Sequence, residues 1–137
     1  MNDSIQFKAS HRYARIADRK VRRVIDTIRG STANQALAEL SVDTHRAAPM
    51  IRKVLASAVA NALQNPAVKA SRLVVSSAHV NGGPLLQGRM RFRPGPMGRA
   101  MPFRRRTCHI HLTVTDPEVT VAHEAPAAAV ETDDSEE

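Results

Sequence analysis

The chain has 137 residues, and its 20 Lys and Arg against 13 Asp and Glu give a formal net charge of +7. This length allows one compact domain and leaves little room for a second. No apolar run reaches the roughly 18 residues of a membrane-spanning helix, and the first residues lack the basic and apolar segments of a secretory signal. The single cysteine, Cys108, excludes an internal disulfide and fits a reducing compartment.

The positive charge is distributed unevenly along the chain. Residues 118–137 contain seven acids and no Lys or Arg, whereas residues 1–117 contain 20 basic and 6 acidic residues. Between Thr44 and Thr115 there are twelve Lys and Arg and no acid. Because a surface of one sign opposes compaction, this stretch is expected to bind a polyanion, with nucleic acid favoured over an anionic membrane. The excess of Arg over Lys, 16 to 4, favours structured nucleic acid, since guanidinium groups bind phosphate bidentately and stack on bases.

The N-terminal half predicts a strand followed by two helices. Apolar residues alternate between Ile5 and Tyr13, which is strand periodicity. From Asp18 to Gly30 the spacing is helical, and Gly30 suits the left-handed position that ends a helix. Thr32 and Gln35 form a capping box for a second, short helix. Five basic residues on the exposed face of the first helix are either solvated or in contact with nucleic acid.

The longest predicted helix runs from about Thr44 to Asn65. Pro49 interrupts its pattern, so either the helix is kinked there or it begins near Ala48 with Pro49 in its first turn. Leu73–Val80 and Thr107–Thr115 predict two further strands. After Pro117 the composition becomes acidic and rich in alanine and proline, which predicts a disordered tail over residues 118–137.

The segment from Leu85 to Arg106 contains seven arginines and no acid, and it lies between the two C-terminal strands. Its alternation and its central Pro94–Gly98 predict a hairpin with about ten residues per arm and a tip near Met97–Ala100. A two-stranded ribbon of this composition is unstable alone, so an anionic partner is expected to surround it. A solvated basic loop is the alternative interpretation.

Two other functions compete with RNA binding. Proteins that bend DNA insert β-arms with apolar or proline tips into the minor groove, and Pro94, Pro96, Met97 and Met101 suit that role. His109 and His111 share one face of the last strand and could supply two metal ligands; His79 and His11 are possible third ligands, but nothing in the sequence brings them close. Cys108 alternates with Ile110, which favours a buried apolar position over a nucleophile.

Four blocks of the sequence resemble the family of large-subunit ribosomal protein L twenty-two, and together they span about residues 11–116. These blocks are Arg19–Gly30 in a first helix, Arg46–Ala48 with Lys53–Ala62 in a long helix, Gly83-Pro84 at the hairpin entry, and Gly98–Ala100 with Arg105–Ile110 in the tip and return strand. The chain departs from the family pattern at Pro49, at Pro94-Gly95-Pro96 and at Cys108.

The resemblance implies an α+β fold, with three helices packed on a small antiparallel sheet and a long protruding β-hairpin at about residues 85–106. Residues 1–117 would form a single domain that binds ribosomal RNA. The implied role is non-enzymatic and needs no cofactor or metal: a structural constituent of the large subunit that binds its RNA, supports assembly and lines the nascent-peptide exit tunnel. The implied partners are large-subunit RNA, neighbouring ribosomal proteins and the nascent peptide, with no membrane and no homo-oligomer, in a cytoplasmic, ribosome-bound location.

The expected contact residues follow from the basic pattern and the resemblance together. The predicted RNA-binding residues are Arg12, Arg15, Arg19, Lys20, Arg22, Arg23, Arg89, Arg91, Arg93, Arg99, Arg104, Arg105, Arg106 and His109. The predicted tunnel tip comprises Pro96, Met97, Gly98, Arg99 and Ala100.

Overall fold

The computed structural model describes residues 4–120, which form three helices and five strands. The elements are β1 (Ser4–Ala14), α1 (Asp18–Ile28), α2 (Ala33–Val42), α3 (Ala48–Leu63), β2 (Val74–Leu85), β3 (Arg91–Pro94), β4 (Ala100–Phe103) and β5 (Arg106–Thr120). One sheet contains three antiparallel strands in the order β1-β5-β2, and β3 pairs with β4 in a separate two-stranded ribbon. The predicted α+β fold class is confirmed.

The central strand β5 divides its side chains between the core and the open face of the sheet. Cys108 and the alternate residues Ile110, Leu112 and Val114 are buried, and they belong to the same apolar core as the helices. His111, on the other face, is only half-buried. The predicted alternation is confirmed around Ile110, whereas Thr107, Thr113 and Thr115 on the other face are buried as well. The helices cover the face that carries Ile110.

The first two helices follow the predicted patterns. Val21, Val24, Ile25 and Ile28 of α1 are all buried. After α1 ends, Gly30 adopts φ +82, a conformation that glycine tolerates without steric cost. The Thr32 hydroxyl accepts the Gln35 backbone N–H at 3.4 Å, which confirms the cap.

Pro49 marks the beginning of α3 and does not kink it. The helix starts at Ala48, so Pro49 lies in the first turn, where its missing N–H removes no intrahelical bond. The prediction of a helix from Thr44 is therefore wrong at its N-terminus, and the second alternative is confirmed. Ile51 and Leu55 are fully buried, and Ala58 and Ala62 allow close packing on the sheet and on α2.

The hairpin is shorter as a paired ribbon than expected. Beyond the Leu85–Arg106 pair at its base, only Arg91–Pro94 and Ala100–Phe103 are paired as strands, so the expectation of ten continuous residues per arm is wrong. The outgoing arm is interrupted by a 3-10 turn at Leu86–Gly88, where Gln87 and Gly88 adopt positive φ of 62 and 69. A second 3-10 turn at Pro96–Gly98 closes the tip.

Strand β5 continues past Pro117 to Thr120, so residues 118–120 of the predicted tail extend the sheet. Asp116 is fully buried in this strand, and its carboxylate forms an ion pair with the Arg72 guanidinium at 3.3 Å. The Glu118 carboxylate contacts another nitrogen of the same guanidinium. Residues 121–137 of the predicted tail lie outside the described residues. Within residues 4–120, no helix combines the length and apolarity that a membrane span requires.

Candidate nucleic-acid interface

A basic cleft lies between the start of α1, the entry to α3 and the base of the hairpin. Its volume is about 690 Å³. Six basic side chains line it, together with Ile16, Ala17 and Leu86; they are Arg15, Lys20, Arg46, Arg104, Arg105 and Arg106. Within residues 4–120, no acidic residue lines it. A concave surface with charges of one sign concentrates the positive potential, so this basic cleft can bind several phosphates at once.

Separate elements bring these charges together. Arg15 follows β1, Lys20 lies in the first turns of α1, and Arg46 immediately precedes α3. Arg104 and Arg105 link β4 to β5, and Arg106 begins β5, where the hairpin rejoins the sheet. The Leu86 N–H donates to the Arg105 carbonyl at 2.8 Å, and this bond fixes the base of the hairpin.

The basic cleft contains five of the fourteen predicted RNA-binding residues. Arg46 was absent from that prediction, although it lies in the acid-free stretch that the charge pattern singles out. Sequence spacing gave no means of placing Arg46 beside Arg104, because the two residues are far apart in the chain. Their position in one cleft depends on how α3 packs against the sheet.

The basic face of α1 has mixed roles. Arg22 donates to the Val80 carbonyl at 3.3 Å and pairs with Asp18 at 3.4 Å, so it helps attach the helix to β2. Arg23 lines a different cavity of about 340 Å³, whose lining includes Glu39 and Asp43. Arg19 is exposed. The structure therefore separates Arg22 and Arg23 from the basic cleft, although both remain accessible.

The hairpin carries its predicted basic residues at its surface. The Arg93 guanidinium lies 4.4 Å from the centre of the Phe103 ring, a cation–π contact that orients it. Arg91 donates to the Gln87 side-chain oxygen at 3.1 Å and is half-buried. Arg89 and Arg99 are exposed.

The predicted tip residues lie together at the end of the hairpin. Met97 is 95% exposed and adopts φ 56, and Gly98 follows with φ +71. The Gly95 N–H donates to the Arg99 carbonyl at 2.7 Å across the turn. Ala100 already belongs to β4, so the turn is centred on Pro96–Gly98.

His109 and Arg12 lie on either side of Tyr13. The His109 Nδ1 accepts the Tyr13 backbone N–H at 3.1 Å, so a neutral ring carries its proton on Nε2. The two rings are also in edge-on contact, with centroids 4.8 Å apart. The Arg12 guanidinium lies 5.7 Å from the centre of the tyrosine ring. His109 therefore positions β1 and is only half-exposed.

The histidines on the open face of the sheet do not form a metal cluster. His111 stacks on His79, with ring centroids 5.1 Å apart and an interplanar angle of 20°. Burial, followed by the charge of His79, lowers the pKa of His111. Among the described residues, no group of three or more His, Cys, Asp or Glu could hold a metal ion. Burial raises the pKa of the Cys108 thiol, as expected for an apolar position.

By fold and site, the chain is a small basic α+β protein with a cleft lined by six basic side chains. The model of the family "Ribosomal protein L22p/L17e" matches residues 9–115. Three similar proteins, each called "Large ribosomal subunit protein uL22", come from Solibacter usitatus (45% identity, covering 83% of this chain and 99% of the relative), Synechococcus sp. strain JA-2-3B'a(2-13) (47%, 82% and 89%) and Rippkaea orientalis (44%, 88% and 97%). The chain belongs to this family of large-subunit ribosomal proteins. Its relatives are structural ribosomal proteins, which confirms the prediction that it is not an enzyme.

Proposed function

We propose that this ribosomal protein binds large-subunit ribosomal RNA through the basic cleft and the arginines of the hairpin. It supports folding of that RNA during subunit assembly, and its hairpin lines the nascent-peptide exit tunnel. The observation that carries the proposal is the convergence of six basic side chains, without an acid, in one cleft. A charged concavity of this kind has no partner within the described part of the chain.

The hairpin supports the same proposal by its own instability. Phe92 is 64% exposed and Met101 is 53% exposed, so the ribbon buries little apolar surface against the body. A four-residue ribbon with exposed arginines does not hold one conformation in water by itself. Surrounding RNA would neutralise its charge and cover its apolar side chains. The tip, Pro96–Ala100, would then face the tunnel and the nascent peptide.

The proposed domain organisation is one RNA-binding domain over residues 1–117, followed by an acidic segment. That segment carries the opposite charge to the RNA, so it would lie away from the RNA and shield the basic body before assembly. One copy of the chain would serve each subunit, in contact with neighbouring ribosomal proteins. The ribosome-bound protein would be cytoplasmic, as expected for a family with bacterial relatives.

Salt-dependent binding to deproteinised large-subunit RNA tests the role of the basic cleft. Arg104→Gln/Arg105→Gln removes two charges from it, and Arg52→Gln/Lys53→Gln removes two exposed charges from α3 as a matched control. The plot of log K against log salt has a negative slope, and each lost phosphate contact makes it less steep by about 0.7–0.9. The slope of the cleft variant should therefore be less steep than that of the wild type by about 1.4–1.8. An equal change of salt slope in the two variants would show that RNA is bound by the overall positive charge of the surface and not by the basic cleft.

Deletion of residues 89–102 tests the role of the hairpin. Leu85 pairs with Arg106 at the junction, so the body should keep its fold and its melting temperature after deletion. Incorporated into ribosomes, the shortened chain should change the passage of nascent peptides. An unfolded body would instead show that the hairpin belongs to the core. Wild-type protein that sediments apart from the large subunit, or that binds duplex DNA equally well, would contradict the proposed function.

A further inference from the structure

A second groove lies beside the basic cleft, on the other side of the hairpin entry. Its volume is about 550 Å³. Apolar groups provide most of its lining, from Pro84, Leu85 and Leu86 on one wall and Tyr13 on the other, with Arg15 among the lining residues. We call it the tyrosine groove. It shares Arg15 and Leu86 with the basic cleft, so the two depressions are neighbours on one surface.

Both walls of the tyrosine groove have strained backbone. Within residues 4–120, three non-glycine residues have positive φ, and two of them, Tyr13 at 58 and Gln87 at 62, line this groove. A left-handed conformation is unfavourable for residues with a Cβ, and it persists only where the surroundings enforce it. Because strained backbone is concentrated at functional sites, the positive φ angles on both walls favour a binding role for the groove.

The Tyr13 ring is held in place yet remains accessible. The Tyr13 backbone N–H donates to the His109 Nδ1. The imidazole of His109 also contacts the Tyr13 ring edge-on, with ring centroids 4.8 Å apart. Even so, 56% of Tyr13 is exposed, at the point where β1 is interrupted by a bulge. An aromatic ring whose orientation is fixed loses little freedom when a flat group stacks on it.

We propose that the tyrosine groove binds a single unpaired nucleobase, stacked on Tyr13, from the RNA whose phosphates occupy the basic cleft. This inference rests on the proposed function and adds a base-binding site to it. Single-stranded RNA is recognised by stacking splayed-out bases on aromatic side chains, while basic groups hold the adjoining phosphates.

Charge complementarity favours a nucleotide over an apolar side chain of a neighbouring protein. Arg15 lies between the groove and the cleft, and the Arg12 guanidinium lies 5.7 Å from the Tyr13 ring. These cations flank an otherwise apolar groove. A nucleotide matches this arrangement, because its base is flat and largely apolar on its faces and its phosphate is anionic. A hydrophobic side chain in the groove would leave these two exposed guanidinium groups without an anionic partner, whereas a nucleotide brings a phosphate to them.

Photo-cross-linking tests the contact directly. The full-length chain is bound to deproteinised large-subunit RNA, irradiated with ultraviolet light, digested and analysed by mass spectrometry. Tyr13 is the only tyrosine and the chain lacks tryptophan, so a tyrosine–nucleotide adduct identifies this position without ambiguity. We expect that adduct.

Substitution of Tyr13 separates stacking from phosphate binding. Tyr13→Asn removes the ring but tolerates positive φ, so the variant should fold. Its affinity for the RNA should fall about five- to hundredfold, with no change in the salt slope, because a base contact and not a phosphate contact is lost. Tyr13→Phe keeps the ring and should restore most of the affinity. Leu63→Asn, which replaces an exposed apolar side chain at the end of α3, is the control.

Two results would overturn the inference while the proposed function stood. One is wild-type RNA binding without a Tyr13 adduct and with an unaffected Tyr13→Asn variant, which would leave the groove to a neighbouring protein. The other is a reduced salt slope in Tyr13→Asn, which would mean that the substitution displaces Arg12 or Arg15. Failure of the wild-type protein to bind the RNA would overturn both proposals.

Discussion

Replacing Arg72 by methionine should destabilise the domain far more than removing an exposed ion pair. Arg72 lies before β2 and pairs with Asp116 of β5, so the pair joins the start of one strand to the distal part of its neighbour. The Asp116 carboxylate is fully buried, and the Arg72 side chain is 26% exposed. Methionine keeps much of the apolar stem and removes only the charge and its donors.

The magnitude follows from what remains around Asp116. Its carboxylate accepts backbone N–H groups from Glu118 at 3.2 Å and from Lys69 at 3.5 Å, and Arg72 is its one ion-pair partner among the described residues. Leaving a buried charge without its partner costs about 3–5 kcal/mol. Because two backbone N–H groups still donate to the carboxylate, we expect a cost of about 3 kcal/mol, at the lower end of this range. At about 2.1 cal/mol/K per residue over roughly 117 residues, this lowers the melting temperature by about 12 °C.

Thermal and urea unfolding at neutral pH measure the loss. Arg72→Met/Asp116→Asn removes the uncompensated charge together with its partner, so it should recover most of the stability. Asp26→Asn is the control, because the Asp26–Arg29 pair has a similar distance of 3.0 Å but side chains that are 58% and 51% exposed. It should change the free energy of unfolding by about 0.5 kcal/mol or less.

The reasoning would be refuted if Arg72→Met cost no more than Asp26→Asn. A double variant as unstable as the single variant would also refute it, because the loss would then come from packing and not from the unpaired carboxylate.

Three further predictions concern buried or crowded positions. Cys108 is fully buried and burial raises its thiol pKa, so a thiol reagent should label it only as the protein unfolds. The pKa of His111 is lowered in the folded chain, so the unfolded chain binds a proton there more readily. The free energy of unfolding should therefore fall as the pH drops below about 6.5, and it should fall less steeply in His111→Asn. A Cβ on Gly83 would lie 2.5 Å from the Thr107 hydroxyl and 3.2 Å from its backbone, so Gly83→Ala should lower the melting temperature, whereas Gly82→Ala has open space and should not.

The parts of the fold that were predicted from sequence are those with a local physical cause. Apolar residues at helical spacing identified the buried face of α1, and the hydroxyl of Thr32 identified the start of α2. The alternation around Ile110 identified both faces of β5. In each case neighbouring residues determine the conformation, so the pattern is visible without the rest of the chain.

The parts that were missed depend on distant contacts or on strained backbone. Arg22 was interpreted as either solvated or nucleic-acid-binding, but its partner is the Val80 carbonyl, 58 residues away. The pairing of Arg72 with Asp116 likewise joins residues that are far apart in the sequence. The left-handed turn at Gln87 interrupts the hairpin although glutamine has no preference for it, so local propensity could not predict the break.

The order of the strands in the main sheet also determines when the protein can fold during its own synthesis. Strands β1 and β2 do not pair with each other, because both pair with β5, the final strand of the described chain. A growing chain therefore cannot form the main sheet until β5 (Arg106–Thr120) is available. In a chain that stops before β5, the inner edges of β1 and β2, which pair with β5 in the fold, stay open in addition to their outer edges, and open strand edges are templates for aggregation. Only chains that contain β5 can pair these inner edges, so the topology distinguishes chains that include this strand from chains that lack it.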